Sequence, residues 1–129
     1  MADTAGLMAG KKGLVMGVAN DRSLAWGITK AVTDHGGEVA LTYQNKTLEK
    51  RVRPLAESLG GATLLECDVS NEASIGNVID TLGEQWGSID FLIHAIAFSD
   101  KNELTGRYVD TSADNFALTM SISCYSFTS

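Results

Sequence analysis

The chain has 129 residues, of which 44% are hydrophobic and 20% charged, a composition typical of one soluble globular domain. Ten basic and 16 acidic side chains give a net charge of −6, which argues against a nucleic-acid-binding protein, because such proteins present a basic face. No apolar run approaches the ~20 residues of a membrane-spanning helix, and residues 1–9 lack the pattern of a secretory signal. We therefore expect a cytoplasmic protein without a membrane partner.

The two cysteines, Cys67 and Cys124, show no spacing typical of a bound metal or of a disulfide framework. Cys67 lies in an apolar run, where a thiol behaves as a small hydrophobic group. We expect both thiols to be structural and reduced, and no metal site is predicted.

The first half of the chain alternates strand-like and helix-like patterns. The apolar segments Gly13–Val18 and Glu38–Tyr43 are predicted to be strands, and Gly36 with Gly37 ends the helix between them. Pro54 predicts either a kink in the next helix or a later start, because proline removes a backbone donor. Spacings of mostly three and four residues predict these two apolar helix faces: Leu24, Ile28, Ala31 and Val32, then Leu48, Val52, Leu55 and Leu59.

The second half continues the alternation. Ala62–Cys67 and Ile89–His94 are predicted strands, and Ser70 or Asn71 can cap the helix between them, which Gly87 ends. Residues 95–110 show no period and are predicted to be a loop. Thr111 with Asp114 resembles a capping box at the start of a last helix, which is still running at Ser129. The helix before the fourth strand has the predicted apolar face Ile75, Val78, Ile79, Leu82 and Trp86.

Four strands that alternate with four helices predict an α/β fold, a parallel sheet with helices on both faces. The near-continuous apolar strands indicate burial on both sides, and right-handed crossovers favour a Rossmann-type doubly wound arrangement. A complete doubly wound domain has two βαβαβ halves. We therefore expect residues 1–129 to be the N-terminal part of a single Rossmann domain, a fold that commonly serves as a dinucleotide-binding domain, truncated after the fourth strand and its following helix.

The first strand end carries the sequence Gly17-Val-Ala-Asn-Asp-Arg-Ser-Leu-Ala-Trp-Gly27. Ligands of open α/β sheets bind at the carboxyl ends of the strands, where a glycine allows a tight turn and a helix N-terminus attracts phosphate. Ser23 is placed to cap the following helix and to donate to a phosphate. Because the G-x-G-x-x-G spacing is absent, the residues alone leave a dinucleotide loop and an ordinary βα turn equally open.

This loop resembles the divergent glycine loop of the bacterial NADH-dependent enoyl-[acyl-carrier-protein] reductases, within the short-chain dehydrogenase/reductase superfamily. The resemblance extends over almost the whole chain from Lys11 onward. Four further segments match in order: Thr42–Asn45, Cys67–Val69, His94–Phe98 and Ser121–Phe127.

The resemblance implies a cofactor site and one substrate position. The implied cofactor-binding residues are Gly17, Ala19, Ser23 and Leu24 at the phosphates and ribose, Gln44 beside the adenosine, Asp68 and Val69 around the adenine, and Ala95 and Ile96 at the nicotinamide. Ser99 matches a position that touches the acyl substrate. For Asp68, the alternative is a carboxylate that only complements the dipole of the next helix.

The cofactor choice has two interpretations. An acidic residue about 20 residues beyond the glycine loop normally holds the ribose 2′-OH of NAD, whereas Gln44 here is neutral. Lys46 would permit a 2′-phosphate, but the resemblance favours NADH. Ala97 stands where many relatives have glycine, and its methyl group could narrow the space near the nicotinamide.

The resemblance implies an oxidoreductase of fatty acid biosynthesis that transfers hydride from NADH to trans-2-enoyl thioesters on acyl carrier protein. It also implies a homotetramer. The tyrosine and lysine that the family uses for catalysis fall beyond Ser129, so no catalytic residue is assigned and a chain ending there is expected to be inactive alone. The alternatives are a keto-reducing member of the superfamily, which would prefer NADPH, and an inactive nucleotide-binding fragment.

Two kinds of residue are expected to be structural. His94 ends a buried strand with no carboxylate nearby in sequence, which favours a packed histidine over an acid or base. Trp26, Trp86 and Phe116 are expected to serve the core or subunit contacts.

Overall fold

The computed structural model describes residues 6–129, which divide into two compact units. The first unit extends to Ala95 and contains β1 (Lys12–Met16), α1 (Leu24–Asp34), β2 (Glu38–Tyr43), α2 (Lys46–Ser58), β3 (Thr63–Glu66), α3 (Glu72–Trp86) and β4 (Phe91–His94). The second unit, Ile96–Ser129, contains two short 3₁₀ helices (Lys101–Glu103 and Tyr108–Asp110), α4 (Ala113–Met120), a π-helical turn (Ser121–Tyr125) and a last helical turn (Ser126–Thr128).

The four strands form one parallel sheet in the order β3-β2-β1-β4. In register, Val15 of β1 lies between Leu41 of β2 and Ile93 of β4. The order reverses at β1, because β2 and β3 lie on one side of it and β4 on the other. The predicted parallel α/β sheet is confirmed, and its switch point lies between β1 and β4.

The main core lies between α1, α2 and one face of the sheet. Strand side chains alternate between faces, so Val15 and Leu41 point with Tyr43 into a cluster that includes Trp26 and Val52. Leu14 and Met16 on the opposite face of β1 are also buried, as the apolar strand predicted. Each fully buried side chain of this size stabilises the fold by about 1.5–3 kcal/mol.

The buried face of α1 differs from the prediction. Leu24 is 86% exposed and Ile28 39% exposed, whereas Ala25, Trp26 and Thr29 are buried. Thr29 is tolerated because its hydroxyl donates to the Ala25 carbonyl at 2.8 Å, so this buried hydroxyl is not left unbonded. Of the four residues of the predicted face, Val32 packs against the core cluster, so the apolar residues of α1 mark the helix correctly but mostly not the side that packs.

Helix α2 begins at Lys46, where the Asn45 side chain accepts from the backbone N–H of Leu48 at 3.1 Å. The helix runs through Pro54, so the predicted later start is wrong. Its predicted apolar face is confirmed. Val52 is buried, and the other three residues pack against the core cluster: Leu48, Leu55 and Leu59.

The remaining boundaries shift by one to three residues. Asn71, one of the two predicted candidates, caps α3 by accepting from Ala73, and Gly87 ends the helix at a φ of 80°. Ser112, not Thr111, caps α4. On α3, Val78 and Leu82 are buried as predicted, but Ile79 is exposed. Within residues 6–129, no helix is long and apolar enough to cross a membrane.

Candidate functional site

The carboxyl ends of β1 and β4 lie side by side at the switch point. The backbone N–H of Ala95 donates to the Met16 carbonyl at 3.0 Å. Gly17 has a φ of 109°, and a Cβ there would lie 2.1 Å from the Ala95 carbonyl oxygen. Glycine is therefore required at this position both by the backbone conformation and by the approach of β4. The sequence had suggested a tight turn and the approach of a phosphate, but not this contact.

The loop after β1 is folded by Ser23. Its Oγ accepts from the backbone N–H groups of Ala19 at 2.9 Å and Asn20 at 3.0 Å. Ser23 occupies the N-cap position of α1 but makes no capping bond with its side chain, so the predicted cap is wrong. The first turn of α1 consequently has no side-chain cap. The N–H of Trp26 donates to the Ser23 carbonyl at 3.0 Å, which leaves the N–H groups of Leu24 and Ala25 as potential anion donors.

The end of β2 carries one neutral and one paired cationic side chain. Gln44 is exposed, and Lys46 Nζ lies 3.2 Å from the Glu49 carboxylate and 6.0 Å from the Tyr43 ring centroid. The hydrogen bond to Glu49 raises the pKa of Lys46. Glu49 also bonds Arg53, and that bond, followed by the one to Lys46, lowers the pKa of Glu49. Glu49 therefore offsets part of the positive charge of Lys46 and Arg53 at this strand end.

The end of β3 is organised by Asp68. Its Oδ1 accepts from the Ser70 N–H at 2.9 Å and the Ser70 hydroxyl at 2.6 Å, while its N–H donates to Ser74 Oγ at 2.9 Å. Because Asn71 caps α3, Asp68 is not the capping carboxylate of that helix. Within residues 6–129, Asp68 Oδ2 has no hydrogen-bond partner and remains able to accept from a ligand.

The two cysteines occupy different environments, and both are free. Cys67 is buried, and burial raises the pKa of its thiol, so the neutral form dominates near pH 7. This state fits the predicted structural role. Cys124 is exposed, so the argument from burial holds for Cys67 alone.

Four predicted residues lie in a row at one edge of the sheet. The strand order places Asp68, Gln44, Gly17 and Ala95 after β3, β2, β1 and β4 respectively, and these strands are neighbours. Three strand spacings of about 4.8 Å make this row about 14 Å long. An elongated ligand along this edge could meet the uncapped N-terminus of α1, the Gln44 amide and the Asp68 carboxylate. Ala19, Ser23 and Val69 lie partly buried in the same loops, and Leu24 is exposed beside them.

The second unit contains a polar cluster that the sequence analysis missed. Ser99 Oγ accepts from Asn115 Nδ2 at 3.1 Å and from Thr119 Oγ1 at 3.0 Å, and Asn115 Oδ1 accepts from the Asp100 N–H at 3.0 Å. Ser123 Oγ accepts from the Phe98 N–H at 3.0 Å and donates to the Phe98 carbonyl at 3.2 Å. The available signal was the four-residue spacing of Asn115, Thr119 and Ser123, a polar stripe at helical period.

The remaining residues singled out from the sequence, one histidine, one isoleucine and three aromatic residues, differ in their burial. His94 ends β4 opposite Met16 and is half-buried, as is Ile96 in the second unit. Trp26 is buried in the core as expected, and the indole of Trp86 donates to Glu38 at 3.1 Å. Phe116 is half exposed, so it does not belong to a core. The described residues include no group of three or more His, Cys, Asp or Glu side chains that could hold a metal ion.

Comparisons with known proteins agree on one family. The family model described as enoyl-(acyl carrier protein) reductase matches residues 17–129. The chain is 61% identical over 128 residues to the NADH enoyl-[acyl-carrier-protein] reductase 1 of Rhizobium meliloti (strain 1021), covering 99% of this chain and 47% of the relative. It is 54% identical to the NADH enoyl-[acyl-carrier-protein] reductase of Rickettsia felis, covering 95% of this chain and 47% of that protein.

Solved structures agree. The crystal structure of the Anaplasma phagocytophilum enoyl-(acyl-carrier-protein) reductase in complex with NAD matches with a TM-score of 0.93 and 63% identity, over 96% of this chain and 47% of that one. The chain thus spans about half the length of the curated relatives it matches. The chain belongs to the enoyl-(acyl carrier protein) reductase family.

Proposed function

We propose that the complete gene product is an NADH-dependent enoyl-[acyl-carrier-protein] reductase of fatty acid biosynthesis, which reduces trans-2-enoyl thioesters carried on acyl carrier protein. The observation that carries the proposal is the switch point, where Gly17 and Ala95 meet beside the uncapped N-terminus of α1. Its chemistry suits a bound pyrophosphate. The name of the relative at 61% identity supports the reaction and the cofactor.

The residues at the strand ends fit a nicotinamide dinucleotide. Uncapped N–H groups suit the pyrophosphate, the Gln44 amide suits a ribose hydroxyl, and Asp68 Oδ2 suits the exocyclic amine of an adenine. When bound, the cofactor supplies the hydride; the chain binds and orients it. The proposed cofactor-binding residues are Gly17, Ala19, Ser23, Leu24, Gln44, Asp68, Val69, Ala95 and Ile96, with Ile96 resting on the resemblance alone.

The charge pattern after β2 supports NADH rather than NADPH. Lys46 is the observation that favours a second candidate, a keto-reducing enzyme that uses NADPH, because a lysine here could meet a 2′-phosphate. Glu49 pairs with that lysine at 3.2 Å, so a phosphate would bind there beside a carboxylate of like charge. The uncharged Gln44 imposes no such repulsion on NADH.

Three further proposals rest on the resemblance. Ser99 would contact the acyl substrate, acyl carrier protein would be the partner that presents it, and the complete protein would be a cytoplasmic homotetramer. Light scattering on the complete gene product tests the assembly: a mass of four subunits supports it, and a monomer contradicts it.

The test of function is an assay of NADH oxidation by the complete gene product, whose intact mass is measured first because the relatives are about twice as long as this chain. Crotonyl and acetoacetyl thioesters are each offered with NADH and with NADPH. Faster turnover of crotonyl thioester with NADH is expected. Preference for acetoacetyl thioester with NADPH would establish the keto-reducing candidate instead.

A matched pair of variants tests the cofactor site. Gln44→Ala is expected to raise the KM for NADH about threefold to tenfold, the range for losing one neutral hydrogen bond. Gln85→Ala is the control, because Gln85 bonds Thr63 at the amino end of β3, the opposite edge of the sheet. Equal effects of the two variants would contradict the proposed site.

A further inference from the structure

The backbone of Asp68 is held on both sides at the end of β3. The Asp68 N–H donates to Ser74 Oγ at 2.9 Å, and the Asp68 carbonyl accepts from the Asn71 N–H at 2.9 Å. Directly before it, the N–H of Cys67 donates to the Tyr43 carbonyl at 2.8 Å, which extends the pairing of β2 and β3 by one bond. The main chain of Asp68 is therefore anchored to the sheet and to the first turn of α3, and its side chain starts from a fixed position.

Ser70 engages one oxygen of the Asp68 carboxylate completely. Oδ1 accepts from the N–H of Ser70 at 2.9 Å and from its hydroxyl at 2.6 Å. A carboxylate oxygen has about two lone-pair sites, so both sites of Oδ1 are occupied. A half-turn of the carboxylate exchanges two identical oxygens and leaves the arrangement unchanged. One oxygen of Asp68 is thus held by Ser70, and the other has no partner in the described part of the chain.

The hydroxyl of Ser70 is the contribution of its side chain to this arrangement. The backbone N–H at position 70 would bond Oδ1 with almost any side chain, whereas the second bond needs a side-chain donor. Bonds from a hydroxyl to an ionised carboxylate are among the stronger hydrogen bonds in proteins. Without this hydroxyl, one lone pair of Oδ1 would be vacant, and a ligand donor or a water could bind either oxygen. Ser70 is exposed and belongs to no core, so this bond is the main interaction of its side chain.

We propose that Ser70 is a positioning residue that directs Asp68 Oδ2 at the exocyclic amine of the adenine, so that the site selects a 6-amino purine over a 6-oxo purine. The inference rests on the proposed function for the bound dinucleotide and for Asp68, and it adds Ser70 to that site. An oxygen that only accepts matches an amine, which donates, but not a 6-oxo group, which accepts. A ligand that leaves a committed polar group unpaired is disfavoured.

The first experiment measures, by calorimetry, the affinities of the complete gene product for two cofactors. These are NADH and reduced nicotinamide hypoxanthine dinucleotide, which has an oxygen in place of the amine. Ser70→Ala is expected to weaken NADH binding about threefold to tenfold, the range for one hydrogen bond, and to weaken binding of the hypoxanthine cofactor less. An unchanged ratio of the two affinities would overturn the inference, because a loop that is merely loosened would weaken both cofactors equally.

Two further serine variants accompany this measurement. Ser70→Thr keeps a hydroxyl and is expected to restore the ratio of the unmodified protein; a ratio equal to that of Ser70→Ala would contradict the role of the hydroxyl. Ser58→Ala is the matched control, because Ser58 is also exposed and its hydroxyl donates to the Leu55 carbonyl at 2.6 Å, at the far end of α2. It should change neither affinity, and an effect equal to that of Ser70→Ala would contradict a specific role of Ser70.

The second experiment separates Ser70 from Asp68. Asp68→Ala removes the accepting oxygens and is expected to weaken NADH binding more than Ser70→Ala does. In that background Ser70→Ala should have almost no further effect, since Ser70 acts through Asp68. Full additivity of the two effects would contradict the positioning role. If Asp68→Ala does not fold, the ratio of cofactor affinities in Ser70→Ala decides the inference alone.

The same variants distinguish failure of the inference from failure of the proposed function. Weaker NADH binding in Asp68→Ala together with unchanged binding in Ser70→Ala would overturn the inference alone. Unchanged NADH binding in Asp68→Ala would contradict the proposed cofactor site, and the inference with it. Because calorimetry needs no turnover, a protein that fails the reductase assay contradicts the proposed function while the two affinities still test Ser70.

Discussion

The two units of this chain are stabilised by different interactions. In the first unit the most deeply buried large side chains are apolar, such as Leu14, Leu41 and Leu82. In residues 96–129, all described, the buried residues are Asn115 and Ser126, and both are polar. Ser126 bonds the Ile122 carbonyl at 2.6 Å. The first unit is organised by apolar burial, and the second by hydrogen bonds from side chains.

The difference has an energetic consequence. A buried Leu or Val contributes about 1.5–3 kcal/mol, whereas a hydrogen bond between neutral groups contributes a net 0.5–1.5 kcal/mol. Several large side chains of the second unit, among them Phe116, Tyr125 and Phe127, are half or more exposed and add little burial. We therefore expect single substitutions to cost more in the first unit than in the second.

The largest effect is expected from Leu41→Ala. Leu41 is fully buried in the central strand β2, so its truncation should lower the free energy of unfolding by about 2–5 kcal/mol in urea denaturation. Leu104→Ala in the second unit is the matched control, because Leu104 is 69% exposed; it should change stability by less than about 0.5 kcal/mol. Comparable losses in the two variants would break the contrast between the units.

A smaller loss is expected from Gly17→Ala. The left-handed backbone alone should cost about 1–3 kcal/mol, and the contact with the Ala95 carbonyl adds to it. Gly76→Ala in α3 provides a control of opposite sign, since no atom lies within 4 Å of a Cβ there and alanine favours a helix by about 1 kcal/mol. Thermal denaturation should separate the two; a neutral Gly17→Ala would show that β4 does not constrain this turn.

Ser123→Ala tests the hydrogen bonds of the second unit. Both polar backbone groups of Phe98 lose their partner, so stability should fall by about 0.5–1.5 kcal/mol. The local readout is hydrogen exchange of the Phe98 amide, which should become faster while the amides of β2 keep their rates. Ser121→Ala should leave Phe98 unchanged, and slow Phe98 exchange in Ser123→Ala would contradict the proposed role of these bonds.

The smallest effect is expected from Glu49→Gln. Bonds to Arg53 and Lys46 lower the pKa of Glu49 in the folded chain. Its contribution to stability is therefore complete above the usual glutamate pKa and is lost as the pH falls through the lowered value. In Glu49→Gln, the free energy of unfolding should fall slightly less as the pH is lowered into the acid range. The difference is small because an exposed ion pair contributes little. Glu84→Gln on α3 is the control, and an identical acid limb in the two variants would contradict the pairing.

The features that could be predicted from the sequence are those with a local or periodic signal. Apolar runs identified the four strands, and spacing identified the packed face of α2 around Val52. Asn45, Asn71 and Ser112 show the limit of such signals, because a cap depends on which of several adjacent polar residues meets a free N–H. Leu24 and Ile28 show another limit: periodicity marks a helix, but the side that packs depends on the sheet beneath it.

The sequence by itself determined the alternation of strands and helices, the parallel α/β class, the glycine at the first strand end and the family. Only the tertiary structure explains why that glycine is required, because Ala95, which lies 78 residues further along the chain, packs directly against Gly17. It also decided that Ser23 folds its loop instead of capping α1, and that Ser99 meets Asn115 and Thr119. Apolar periodicity is written along one segment, whereas a hydrogen bond between distant polar groups exists only once the chain has brought them together.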